Sequence, residues 1–199
     1  MLAKRILDLT LVIPGLLVIW PFFLVVSIWI KMDSNGPVFF RQERVGRNGK
    51  LFRIYKFRTM MKDAESVGPK VTAGADPRIT RSGTFLRKYK LDELPQLINV
   101  LKGEMSIVGP RPEVPEFVVL WPEDLRNTIL SVSPGITDIA SIEYRNENEL
   151  LEGAANPAEK YITEIMPIKL RYYATYIHKQ NLLLDVWLII KTVSLIFKK

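Results

Sequence analysis

The stretch RKYKLDELPQLINVLKG, residues 87–103, sets two adjacent carboxylates, Asp92 and Glu93, behind a basic run and ahead of an apolar stripe. Leu94, Leu97, Ile98 and Leu101 recur at helical spacing, so the pair stands at the mouth of a helix. Carboxylates there can do ordinary work. Asp92 occupies the expected N-cap position, and Glu93 in the first turn suits the positive end of the helix dipole. Pro95 is tolerated because first-turn amides have no intrahelical acceptor.

The neighbours offer a second use. Arg87 and Lys88 lie a short loop away, and Arg111 is pinned between prolines in GPRP, residues 109–112. A restricted backbone lowers the entropy lost when that arginine grips a ligand, and its planar fork matches phosphate oxygens. A carboxylate beside such cations can hold Mg²⁺, the usual companion of a diphosphate. It can also attack phosphorus and form an acyl phosphate. Taken alone, the pair still fits helix capping, and Arg111 still fits a structural ion pair.

Composition narrows the chemistry. The 199 residues suit one domain with a real core. The absence of cysteine removes disulfides, thiolate zinc sites and cysteine nucleophiles together. The single histidine, His178, sits in YYATYIHKQ, which reads as the polar edge of a helix. No Walker-type loop, zinc pattern or GxSxG elbow occurs. What remains is carboxylate, guanidinium, ammonium and hydroxyl chemistry with borrowed metal ions, which fits phosphoryl or glycosyl transfer better than proteolysis or redox work. The net charge of +7 favours an anionic partner: nucleic acid, acidic lipid or a phosphorylated substrate.

The elements that must carry these groups begin with an apolar run. Residues 9–30, LTLVIPGLLVIWPFFLVVSIWI, contain no charge and would extend about 33 Å as a helix, long enough to span a hydrocarbon core. The run is longer than a signal-peptide core, and KMDSNGP offers no cleavage site. Pro21 falls near its middle and Pro14-Gly15 adds a second weak point. Both flanks are basic: Lys4 and Arg5 before, and eight Lys or Arg against Asp33 and Glu43 over residues 31–58. The positive-inside rule places both ends in the cytoplasm, so the expectation is a re-entrant helix broken at Pro21, with a straight span as the alternative.

Beyond the anchor, two strand-like runs flank Asn48-Gly49, a hairpin signal. In the second run Phe52, Ile54 and Lys56 alternate with Arg53, Tyr55 and Phe57, so its faces are not cleanly divided. Residues 60–83 read as a mobile loop, and a short helix is expected over 84–89. Gly103 is a C-cap for the Asp92 helix. MSIV predicts a short strand, WPEDLRNTIL a helix, SPGIT a turn, and residues 157–166 and 168–179 two helices separated by Pro167. The C-terminal NLLLDVWLIIKTVSLIFKK reads as an amphipathic helix, packed on the core or lying in a membrane interface. The expected class is α+β, mostly helical: an anchor over residues 1–32 and a catalytic domain over 33–199.

The ordered set KRILDL, GPVFFRQERVGRNGKLFRIYKFRTM, LRKYKLDELPQLINVLKGEMSIVGPRP and SPGIT closely resembles the bacterial sugar transferases, the monotopic phosphoglycosyl transferases, over about residues 4–145. The likeness is to their short, minimal members. That resemblance implies transfer of a sugar 1-phosphate from a UDP-sugar to undecaprenyl phosphate, with release of UMP, as a membrane step opening surface-glycan or glycoprotein-glycan assembly. It implies Mg²⁺, a broken re-entrant helix in the bacterial plasma membrane, and a domain at its cytoplasmic face, with no nucleic acid among the partners. It makes Asp92 the nucleophile that carries a phosphosugar, Glu93 its partner in metal or proton handling, and Lys56, Arg58, Arg87 and Arg111 contacts for phosphate or headgroup. Many members continue PGIT with a Gly-Trp-Ala-Gln-Val-Asn-Gly-Arg run. This chain reads DIASIEYR instead, so only Arg145 carries over. At the helix break some members have Ser-Pro where this chain has Trp20-Pro21. Rival readings are a non-catalytic basic protein that binds anionic lipid or nucleic acid, and a transferase that works by single displacement.

Overall fold

The computed structural model describes residues 2–64, 76–145 and 150–197 of the chain. Helix α1 (Leu2–Asp33) runs unbroken through Pro14 and Pro21. Pro21, where an interruption is expected, stands inside continuous helical secondary structure. Each proline removes only its own donor, and the flanking turns keep theirs, so helical backbone continues across both.

One stripe of α1 lies against the domain toward each of its ends. Asp8, Val12, Val26 and Ile30 are buried on it, while Leu17, Val18, Val25 and Ile28 on the outer face are exposed. Its N-terminal end is tied by polar bonds. Lys4 Nζ reaches Asp185 Oδ2 at 2.6 Å, Arg5 donates to the carbonyls of Val100 and Leu101, and Asp8 Oδ1 accepts from Ile107 N at 3.0 Å. At its C-terminal end Asp33 Oδ2 accepts from both the backbone N–H and the hydroxyl of Ser82, each at 2.8 Å.

The strands are short and form three pairs. β1 (Phe39–Phe40) is antiparallel to β4 (Lys56–Phe57), and β2 (Glu43–Val45) to β3 (Leu51–Arg53). The second pair is the expected hairpin, with Asn48 and Gly49 both at positive φ in its turn. Between β3 and β4 the backbone leaves the ladder at Ile54–Tyr55, and the burial phase slips. Phe52, Ile54 and then Phe57 point inward, which leaves Lys56 facing the site.

Helix α2 (Arg81–Lys88) is capped by Thr80, whose hydroxyl accepts from Gly83 N. The loop expected over 60–83 is shorter than that. Residues 65–75 lie outside the described residues, and the Met60–Ile79 bridge and the Asp76–Arg78 ion pair hold the described residues on either side. Helix α3 (Gln96–Lys102) ends at Gly103, φ 81°, as expected of a C-cap glycine.

β5 (Ser106–Val108) then runs parallel to β6 (Gly135–Thr137), joined through α4 (Pro115–Val118) and α5 (Glu123–Leu130). Helix α6 (Ile139–Glu143) is capped by Asp138, which accepts from Ser141 N. The segment α7 (Pro157–Lys160) passes through a π-helical turn, Tyr161–Ile165, into α8 (Met166–Lys179). Pro167 therefore does not break the chain into separate helices. The missing donor is absorbed by a widened turn. Helix α9 (Leu182–Phe197) closes the fold, with Leu188 fully buried against Val108 and Tyr176.

The apolar core is divided among these junctions. Val12 packs with Phe52, Val100 and Met105, and Val26 and Ile30 pack with Phe57 and Leu86. Each such side chain contributes about 1.5–3 kcal/mol on burial. The two clusters bind the two halves of α1 to one body. The architecture is α+β and mostly helical, as the sequence leads one to expect.

Gly83 shows how tightly α2 is seated. An added Cβ there would lie 2.0 Å from the Thr59 carbonyl oxygen, whereas one at Gly15 meets nothing within 4 Å. Gly83→Ala should therefore lower stability by about 1–3 kcal/mol, and Gly15→Ala should leave it unchanged or raise it by up to about 1 kcal/mol. Thermal unfolding of the two variants checks both.

Candidate active site

Asp92 and Glu93 sit on a single 3₁₀ turn, Leu91–Glu93, entered through Lys90 in left-handed conformation at φ 56°. Pro95, not Asp92, holds the N-cap position of α3, and neither carboxylate caps a helix amide. The capping explanation fails because the short turn and Pro95 set the acids one step outside the helix. Their side chains point at cations instead. Lys56 Nζ lies 2.7 Å from Asp92 Oδ2 and 3.3 Å from Glu93 Oε1. Arg111 grips Glu93 with both terminal nitrogens, Nη1 to Oε2 at 3.1 Å and Nη2 to Oε1.

Asp92 is 2% exposed, and its Oδ1 is buried with no hydrogen-bond partner among the described residues. Burial works against a charged Glu93, yet Arg111 and Lys56 outweigh it and hold that carboxyl well below its ordinary value. Both carboxylates thus have a reason to stay in place, but only Asp92 keeps one oxygen without a donor.

Lys56 and Arg111, the partners of this pair, line a cavity of about 600 Å³, within the range of small-molecule sites, although neither carboxylate is itself in the lining. Eight Lys or Arg residues line it, with Asp63 the one carboxylate among the described lining residues, so it is built for an anion. Lys56, Arg58, Arg87 and Arg111 are all in that lining. Arg87 comes from α2 and donates through Nε to Thr59 Oγ1 at 3.0 Å. Burial depresses its pKa, opposed by the charges of Asp92 and Asp76, which places its guanidinium near the pair.

Arg58 has a different occupation. Its terminal nitrogens donate to the carbonyls of Ser34, at 2.7 Å, and of Asn35, just past the end of α1. Arg145 follows α6 and is not among the residues lining the cavity. The DIASIE stretch before it is helical and buries Ala140 in the α8 core.

Other supporting residues are not apparent from the sequence. Asn99, fully buried on α3, accepts from Tyr55 N at 2.8 Å and donates to Arg53 O at 3.0 Å, which fixes the backbone entering Lys56. Its one signal is an amide inside the apolar run LINVL. Arg44 ties the hairpin to the Arg111 loop through Pro112 O at 3.1 Å and Glu113 Oε1 at 3.2 Å. Gln96 is 1% exposed and lines the cavity.

This geometry agrees with what comparison with known proteins finds. The chain belongs to the bacterial sugar transferase family, whose family model matches residues 1–199. It is 36% identical over 195 residues, 97% of its length, to the UDP-N-acetylgalactosamine-undecaprenyl-phosphate N-acetylgalactosaminephosphotransferase of Aeromonas hydrophila. It is 38% identical over 195 residues, 96% of its length, to the UDP-glucose:undecaprenyl-phosphate glucose-1-phosphate transferase of Xanthomonas campestris pv. campestris. It is 33% identical over a 207-residue alignment, 96% of its length, to the exopolysaccharide production protein ExoY of Sinorhizobium fredii. The chain spans 43% and 38% of the first two proteins and 84% of the third.

The Arg111–Glu93 pair yields a pH-dependent prediction. Glu93's folded pKa lies below its unfolded value of about 4.3, so its stabilisation is present above that value and fades as pH falls through the folded pKa. Arg111→Met should cost about 1–3 kcal/mol at pH 7. The gap from wild type should narrow below about pH 4, as denaturant midpoints across pH will show.

Proposed function

We propose that the protein transfers a sugar 1-phosphate from a UDP-sugar to undecaprenyl phosphate, releasing UMP, with Asp92 as a covalent nucleophile. The observation that carries this reading is Asp92 itself: a buried carboxylate with Oδ1 unpartnered and Oδ2 held by Lys56, a residue that lines the basic cavity. The family membership and the relatives named above support the substrate class.

In the first displacement Oδ1 attacks the sugar-bearing phosphorus. A phosphorus–oxygen bond forms to Asp92 as the bond to the bridging oxygen breaks, and that electron pair leaves on UMP. In the second, a phosphate oxygen of the acceptor attacks the same phosphorus. Asp92 departs as carboxylate, and a polyprenyl diphosphate sugar results. Lys56 orients Asp92 in both steps. Arg87 and Arg111 face the diphosphate charge from preset positions, so little reorganisation is needed as charge shifts.

Mg²⁺ fits this donor set. No group of three or more ligating side chains exists among the described residues, and Mg²⁺ is ordinarily held by one or two carboxylates plus substrate phosphates. Asp92 and Glu93 would supply those carboxylates, and the ion would neutralise diphosphate charge.

The setting proposed is the cytoplasmic face of the bacterial plasma membrane, with α1 entering one leaflet and both its ends on the same side. Support comes from α1's exposed apolar outer face and from its two ends, both bonded to one polar body. The reaction would open assembly of a surface or glycoprotein glycan.

Asp92→Asn should abolish UMP release from UDP-glucose or UDP-N-acetylgalactosamine in the presence of undecaprenyl phosphate and Mg²⁺. Full activity in that variant would defeat the nucleophile assignment. A protein that only binds anionic lipid would release no UMP, with or without Asp92, and would bind membranes equally well in either form.

The native chain has no cysteine, so single Ala3→Cys and Asn35→Cys variants give clean labelling sites. In right-side-out vesicles an impermeant maleimide should miss both positions, and in inverted vesicles it should label both. Labelling of the two from opposite sides would overturn the re-entrant placement.

A further inference from the structure

Gln96 is the first residue of α3, four positions after Asp92, and it is 1% exposed in the wall of the cavity. Its Nε2 is buried without a hydrogen-bond acceptor among the described residues. Burying an amide donor unpaired is unfavourable, so the fold tolerates a loss here that a ligand would remove. The other unpartnered atom in this neighbourhood is Asp92 Oδ1, an acceptor. An unfilled donor in the cavity wall therefore stands four residues along the chain from an unfilled acceptor, whose carboxylate is tied to that wall through Lys56.

We propose that Gln96 is a catalytic residue, whose Nε2 donates to a non-bridging oxygen of the sugar-bearing phosphoryl group while Asp92 Oδ1 attacks its phosphorus. This rests on the transferase reading above. The residue type suits the place. An amide donates without charge, so it can sit beside Asp92 without pairing with it, whereas lysine or arginine would occupy the lone pairs of Oδ1 and blunt the nucleophile. Its position on a helix with a buried face holds the donor still, as stabilisation of a developing charge requires. The cations already present have other partners. Lys56 is on Asp92 Oδ2 and Glu93, Arg111 on Glu93, and Arg58 on the carbonyls past α1, so a neutral donor beside Oδ1 adds a contact that none of them makes.

The test uses the purified full chain in detergent with UDP-glucose and UDP-N-acetylgalactosamine, Mg²⁺ and no acceptor. The UMP burst is timed, and the phosphosugar adduct is sought by intact mass. Gln96→Met should slow the burst about 10²–10³-fold, the effect of losing one preorganised donor, with the donor KM changed less than about threefold. Gln96→Glu should be equally slow at pH 8. Its rate relative to wild type should recover as pH falls and the buried carboxyl takes a proton that it can donate.

A burst within about threefold of wild type in both variants would overturn the proposal. So would a loss expressed only in KM, or a Gln96→Glu ratio flat with pH. Thermal midpoints equal to wild type exclude simple unfolding as the cause of a slow burst. Absence of both burst and adduct in the wild-type protein is a different outcome: the covalent reading itself would then fall, and the role of Gln96 with it.

Discussion

A buried carboxylate with a cation on one oxygen and the other left open is the constraint around which this protein is arranged. Removing such a group from solvent costs several kcal/mol unless a partner compensates. Lys56 is that partner for Asp92, at 2.7 Å, and it must arrive from a distant stretch of the chain. The break at Ile54–Tyr55 turns Lys56 toward the dyad, Asn99 holds the backbone on either side of that break, and Phe57 anchors the strand by complete burial. Each of these features has its simplest explanation in the placement of one ammonium group.

The same strand joins the site to α1. Arg58 follows Phe57 directly, and its guanidinium holds carbonyls just past the last turn of the helix, where a cation also meets the negative end of the dipole. Asp33, the last residue of α1, accepts from Ser82 in the first turn of α2, and α2 carries Arg87. Two short bridges thus run from the end of α1, one toward Lys56 and one toward Arg87. A displacement of α1 would disturb both cations together. An apolar helix with an exposed outer face is thereby tied to the frame that positions the candidate site.

The local signals are legible in the residues: the Asn48-Gly49 hairpin, the Gly103 cap, the α+β class and the acidic pair beside Arg111. They depend on a few adjacent side chains, and those side chains behave as their chemistry requires. The misreadings share a physical cause, which is that tertiary partners decide the outcome. Asp92 has the type and position of an N-cap, but Pro95 takes that place and Lys56 takes the carboxylate. Asp185 looks like a polar break in an amphipathic helix. In fact it is buried, accepting from Lys4 and Tyr176 across 181 and 9 residues of chain. Arg58 lines the cavity, as its reading as a phosphate contact asks, and nothing local shows that it also holds the end of α1.

The division of labour within the dyad follows from which cation reaches which acid. Had Arg111 gripped Asp92 with both donors, it would have covered the lone pairs that the proposed attack on phosphorus needs, giving a stable pair and a poor nucleophile. Placed on Glu93, the same bidentate contact fixes Arg111 at the edge of the cavity and keeps a second negative charge beside Asp92 from being unpaired. Lys56 then bridges the two acids with a single rotatable ammonium, enough to hold one oxygen of Asp92 and not both. Exchanging the arginine and the lysine would leave the net charge of the site unchanged and remove the open oxygen. What makes the arrangement reactive is therefore the geometry of the donors around Asp92, and total charge does not decide it.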